Sequence, residues 1–168
     1  GVFNAATGDA NTFDRRAWTN AGGVDSNGGT ATAADPAILQ YVRTTGTNTR
    51  SLAIDANNDL WVGGLGNAQH QLYDGATGAP VASGNPPFNS FNNGNGGYGA
   101  LVDGNGIVWS ASSPSGSNRL VRHDPTTGVT QNVNTGGRVT YGMAVDTNGK
   151  VWVSNWTQNS VQRYAADG

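Results

Sequence analysis

Short runs rich in Val, Leu, Ile, Trp and Tyr recur along the chain, each broken after a few residues by an interruption of Asp, Asn and Gly. Three pairs of runs superpose. Ser51-Leu-Ala-Ile-Asp55, Ala-Asn-Asn, Asp59-Leu-Trp61-Val is the first, and Gly99-Ala-Leu-Val-Asp103, Gly-Asn-Gly, Ile107-Val-Trp109-Ser the second. The third is Gly142-Met-Ala-Val-Asp146, Thr-Asn-Gly, Lys150-Val-Trp152-Val. Apolar runs of this length bounded by turn residues predict strands. The Asp-x-Asn-Gly interruptions predict hairpins, because Asn-Gly accepts the positive φ that a type I′ turn demands. A third strand follows an Asn-containing loop in each unit: Gln69 to Tyr73, Asn118 to His123 and Asn159 to Tyr164. Two of these run into turn compositions, Asp74-Gly-Ala-Thr-Gly78 and Asp124-Pro-Thr-Thr-Gly128, with fourth strands expected at Ala79-Pro-Val-Ala82 and Val129 to Val133.

The Asp that precedes each Trp by six positions recurs at 55, 103 and 146. Units of forty-odd residues with four short strands each are the signature of β-propeller blades. The expected fold is therefore all-β: four-stranded antiparallel blades, about four units, forming a partial ring. Residues 1–50 read as degenerate blade sequence, with a hairpin at Val24 to Gly28 but Ala31 in the Trp position. Residues 51–168 read as three recognisable blades, the last lacking its outer strand.

Composition narrows the function classes. The chain has no Glu, one lysine and no Cys, which removes long helices, thiolate metal sites, disulfides and cysteine nucleophiles. A net charge of −2 without a basic cluster argues against a nucleic-acid surface, and no apolar run approaches a membrane span. Low Lys, absent Glu and Cys, and abundant Asn, Gly and Thr suggest a secreted or cell-surface bacterial protein.

The pattern Tyr-Gly-x-Ala-Val-Asp, Asn-Gly, x-Val-Trp, then Asn-x-Val-x-Arg resembles the repeats of the virginiamycin B lyase (streptogramin lyase) group and the wider NHL-type propellers, over residues 51–168. The resemblance implies a ring of six or seven blades and, for the lyases, magnesium-dependent opening of a cyclic peptide antibiotic. It also implies a catalytic His just before the Gly that opens a first strand and a Glu shortly after the Trp. The His position here holds Arg50, Tyr98 and Tyr141, and the Glu position Gly64, Ser112 and Ser154. A lyase of that type would need its catalytic blades outside this chain. Completion of the ring calls for the remainder of a longer chain or for a homodimer, unless four units close compactly.

Trp61, Trp109 and Trp152 share one repeat position and are expected to pack between blades. Trp18 and Trp156 have no such equivalents, which favours a functional role. In a four-stranded meander the loop between strands two and three lies on the same face as the connection to the next blade. Trp156 is therefore expected to share a face with the insertion from Gly84 to Gly97, carrying Phe88 and Phe91, and with Arg50, Tyr98 and Tyr141 at the inner strands. Asn67, Asn118 and Asn159 flank the same loops. Aromatic rings beside amides suit carbohydrate, peptide or protein partners. Asp55 and Asp59 carry the alternating oxygens of a calcium or magnesium loop, although recurrence of the motif in every unit favours bonding to the turn backbone. His70 and His123 are expected on strand surfaces, and no cofactor is implied. The expected function is a binding or interaction module; a lyase completed elsewhere and a structural component of a surface assembly are the alternatives.

Overall fold

The computed structural model describes residues 42–82, 84, 86–112 and 119–167; the degenerate N-terminal repeat, Trp18 and Asn118 lie outside them. Residues 43–168 form one compact unit containing three antiparallel sheets. The first comprises β1 (Thr49–Ile54), β2 (Leu60–Gly64), β3 (His70–Tyr73) and β4 (Ser90–Phe91). The second comprises β5 (Ala100–Val102), β6 (Val108–Ala111), β7 (Arg119–His123) and β8 (Thr130–Asn134). The third has β9 (Thr140–Val145), β10 (Val151–Asn155) and β11 (Ser160–Tyr164). Each sheet is a simple meander, strand next to strand in chain order.

The hairpins differ from the type I′ expectation. Only one residue in each has positive φ, Asn58 (65°), Gly106 (79°) and Gly149 (73°), whereas type I′ requires two. Asn58 N–H donates to Asp55 C=O at 3.1 Å and Asp55 N–H to Asp59 C=O at 3.0 Å, the pattern of a type I turn closed by a left-handed residue and a bulge. The Asp side chain fixes this geometry. Oδ1 of Asp103 accepts the Asn105 and Ile107 amides at 2.9 and 3.1 Å, while Oδ2 accepts the Trp109 indole N–H at 2.9 Å. Asp146 does the same with Asn148, Lys150 and Trp152. The six-residue spacing from Asp to Trp thus lets one carboxylate bind the turn and the indole together.

The first blade's outer strand also departs from expectation. Pro80 makes only an isolated bridge to Tyr73, and the paired strand is Ser90–Phe91. Asp74 N–H donates to Ala79 C=O and Val81 N–H to Leu72 C=O, both at 2.9 Å, but Leu72 N–H donates to Asn89 C=O at 2.8 Å, so the pairing passes from Val81 to the strand at Ser90–Phe91. Gln71 fills the break: its Nε2 donates to the carbonyls of Val81 and Asn89 at 3.3 and 3.1 Å.

Blades pack face to face. Ala53, Trp61, Leu72 and Phe91 of the first meet Val108 and Val121 of the second. Ile107, Trp109, Leu120 and Val133 of the second meet Val151 and Val153 of the third. The middle strand β6 is buried along its whole length, as a strand covered on both faces must be. In β10 burial alternates instead, and Trp152, equivalent to the fully buried Trp109, is 38% exposed. Val161 on that face is 63% exposed, and Leu52 and Ile54 of β1 are exposed too. The arc of three blades remains open among the described residues.

Candidate functional site

The loops at one end of the blades bring together Arg50, Tyr98, Tyr141 and Trp156. Each of the first three stands where the inner strand of its blade bulges. In β1 the register slips at Arg50, between Thr49 opposite Gly64 and Ser51 opposite Gly63. In β9 it slips between Met143 opposite Val153 and Thr140 opposite Asn155, so that Tyr141 and Gly142 share Ser154 as neighbour. Ahead of β5, Ala111 donates to Gly99 C=O at 2.8 Å and accepts from Tyr98 N–H at 3.0 Å, again two residues against one. A bulge re-aims the side chain of the extra residue, and here it does so at the same point in three consecutive blades.

The result is a ladder across the three blades. The Arg50 guanidinium lies 5.2 Å from the centre of the Tyr98 ring, Tyr98 lies 4.7 Å from Tyr141, and Tyr141 lies 4.5 Å from Trp156. The rings are tilted by 39° and 34°, the offset arrangement aromatic pairs favour. The two phenol hydroxyls share a hydrogen bond of 2.8 Å, which with partial desolvation raises the Tyr141 phenol above its ordinary value, opposed by the Arg50 charge. Trp156 is 57% exposed, and its amide is tied to Val139 C=O at 2.9 Å. Thr140 holds the adjoining loops: its hydroxyl donates to Arg119 C=O and accepts from the Ser112 amide, both at 3.0 Å. Gly99 permits the approach of neighbouring inner strands, since a Cβ there would stand 2.8 Å from Tyr141 C=O.

Amides bond mainly to one another and to the backbone in the neighbouring loops. Asn67 accepts from the Thr47 amide and donates to Thr45 C=O, and Asn92 donates to Asn67 C=O. Asn93 and Asn95 both donate to Asn132 Oδ1, at 3.2 and 3.1 Å. Asn159 is exposed in the β10–β11 loop with φ of 48°.

Two of the expected site residues stand elsewhere. Phe88 lies at the opposite end of the blades, where its ring covers Gly128 and its amide donates to Pro125 C=O. Phe91 is 7% exposed, stacked between His70 and His123 with ring centres 4.2 Å away on each side. The physical reason is that residues 79–97 are not a loop confined to one end. Ser90–Phe91 form the outer strand, with Phe88 before it at one end of the blade and residues 92–97 after it at the other.

The histidines are likewise not surface residues; each is 1% exposed between the first two blades. His70 Nδ1 faces Ala68 C=O at 3.0 Å and Nε2 faces Ser110 Oγ at 2.9 Å. Ser110 Oγ in turn accepts the Gly97 amide at 2.8 Å. Burial, the largest cause, lowers His70 to a pKa of about 4 despite the bond to Ala68. His123 contacts Thr130 Oγ1 and Phe88 C=O and is lowered too, again mainly by burial. The alignment of His123 with Tyr73, another buried position, was the available signal for this core role.

Asp55 and Asp59 serve the backbone. Oδ1 of Asp55 accepts the Asn57 and Asp59 amides at 2.9 Å, and Oδ1 of Asp59 accepts the Gly75 amide at 3.0 Å. The adjacent depression of about 130 Å³ is lined by a single carboxylate, that of Asp55. Among the described residues no three His, Asp or Glu side chains converge as a metal ion requires.

Comparison with solved structures places this architecture. Virginiamycin B lyase from Staphylococcus aureus superposes with a TM-score of 0.57 at 14% identity, over 71% of this chain and 39% of that one. A streptogramin B lyase structure gives 0.58 at 14% identity, over 74% and 40%. The WD40 β-propeller domain of Doa1 gives 0.55 at 15%, over 70% and 36%. The fold is that of a β-propeller. This chain spans about two fifths of the lyases' length, and at these identities the likeness concerns fold alone. No family model matches the sequence, and no curated protein matches it.

Proposed function

We propose that this chain is part of an extracellular β-propeller binding module that takes a carbohydrate, peptide or protein partner on the end carrying Arg50, Tyr98, Tyr141 and Trp156. One observation carries the reading: three successive blades use the same bulge to bring a guanidinium and two phenol rings into one ladder, which Trp156 extends. Packing of a core needs no such alignment of partly exposed side chains. The same positions are those at which the streptogramin-lyase resemblance implies a catalytic His, so binding without turnover fits the residues present. The competing reading is a lyase-type enzyme with its catalytic blades elsewhere. The likeness to the lyases over only two fifths of their length supports it, and magnesium-dependent turnover by a longer polypeptide would favour it.

Ring completion belongs to the same proposal. Trp152 and Val161 occupy positions whose equivalents in the second blade, Trp109 and Leu120, are fully buried, which supports a further blade or a second copy seated against them. The direct test of the binding face is Trp156→Ala in a screen of immobilised polysaccharides and peptides. Binding is expected to fall about tenfold with the thermal midpoint unchanged, since an exposed ring contributes contact to the ligand and little to the core. Undiminished binding by the variant would place the ligand elsewhere.

A further inference from the structure

Among the described residues, the acidic ones are confined to one end of the blades, where Lys150, Arg122 and Arg163 stand beside some of them. All seven acidic residues of the described region, Asp55, Asp59, Asp74, Asp103, Asp124, Asp146 and Asp167, lie in or beside the β1–β2, β3–β4 and equivalent turns, or after β11, at the end remote from Trp156. The loops at the Trp156 end carry Arg50, Arg119 and Arg138 and, among the described residues, no carboxylate. Arg50 and Arg119 are exposed. Arg50 terminates the aromatic ladder at one side. Arg119 opens β7 at the same end, its carbonyl bonded to the Thr140 hydroxyl one residue before Tyr141.

From this juxtaposition we infer that the ligand is an anionic polysaccharide of the uronic-acid type, with pyranose faces on the aromatic rings and carboxylates on Arg50 and Arg119. The inference rests on the binding-module reading and narrows it. Guanidinium groups match carboxylates in a planar, two-pronged geometry, and no carboxylate among the described residues at this end competes for them. The rings and amides account for the rest of a sugar's surface. Exposed indole and phenol faces supply stacking, and Asn159 in the same loop as Trp156 is an exposed amide for hydroxyls. An acidic peptide satisfies only the charges. An arginine cluster suffices for it, whereas this end also offers exposed ring faces.

The test is affinity electrophoresis and calorimetry of the full 168-residue chain with polygalacturonate, dextran and poly-L-glutamate. The expected result is preferential binding of polygalacturonate, weakened by salt, and reduced about tenfold or more both by Arg50→Gln with Arg119→Gln and by Trp156→Ala. Equal affinity for dextran, lost in Trp156→Ala but indifferent to the arginine substitutions, would overturn the anionic ligand while leaving the binding face standing. Equal or tighter binding of poly-L-glutamate that ignores Trp156→Ala would overturn the polysaccharide in favour of an acidic peptide. Binding of none of the three would overturn the inference outright.

Discussion

Lowering the pH from 7 to 5 should destabilise this protein through His70, one of its only two histidines. The neutral ring is fitted to its site. Ala68 C=O can only accept, so Nδ1 carries the proton, and Nε2 is left to accept from the Ser110 hydroxyl. A second proton would have to sit at Nε2, facing an oxygen already receiving the Gly97 amide, and no carboxylate among the described residues bonds to the ring to offset the buried charge. The folded pKa of about 4 lies below the ordinary value of 6.5, so between these values the unfolded chain binds more protons than the folded one. Stability from this group is therefore fully present above about pH 6.5 and is withdrawn as pH falls toward 4. Linkage puts the loss at about 2 kcal/mol between pH 7 and 5, and about 3 kcal/mol by pH 4, to which His123 adds in the same direction. Asp74, Asp124 and Asp146 have lowered pKa values; their contribution is present above their ordinary value of 3.8 and lost below it, a separate window. Urea unfolding followed by tryptophan fluorescence at pH 7, 6 and 5 measures the slope, and imidazole chemical shifts assign it. A flat stability between pH 7 and 5, or a His70 ring titrating near 6.5, would refute the reasoning.

Four further outcomes follow from the geometry. Asp103→Asn should cost about 1–3 kcal/mol in urea unfolding because an amide group cannot accept both the turn N–H groups and the Trp109 indole N–H, and Asp103 is buried. Asp146→Asn should cost less, since water reaches the exposed Trp152 that it binds. Tyr98→Phe removes the hydroxyl pair that raises Tyr141, so the ultraviolet titration of the remaining phenols should lose a component on the high-pH side. Trp152→Lys places a charge on the bare face of the third blade. If that face seats a second copy, the native chain sediments above single-chain mass and the variant at it; a native protein that sediments as a single chain would exclude the homodimer.

The sequence made the blades legible because one spacing repeats, and in the second and third blades it has one physical cause. Asp103 and Asp146 must reach both a turn and an indole, which fixes the six-residue interval, and the interval marks the first two strands of each unit. The third strands were legible to within a residue for the same reason, being tied to those two by register. What escaped was whatever depends on the third dimension. The pairing at Ala79 to Val81 stops where Leu72 N–H turns to Asn89, and the true outer strand at Ser90–Phe91 lay inside what read as an insertion. With that strand misplaced, Phe88 and Phe91 were assigned to the wrong end, and the histidines that enclose Phe91 looked like surface residues.

The site itself was half legible. Arg50, Tyr98, Tyr141 and Trp156 could be gathered from meander geometry, but the bulges that turn the first three together could not, because a bulge is a property of pairing between strands. The distribution of charge separates structural need from what is left over. Asp occupies one end because its side chain closes the turns there, so the acidic end follows from the fold. No turn in the structure requires a guanidinium beside Tyr98 or an indole beside Tyr141. Those residues could be replaced by Ser or Asn without loss of a described backbone hydrogen bond, and their presence in one ladder is the part of the molecule that packing does not explain.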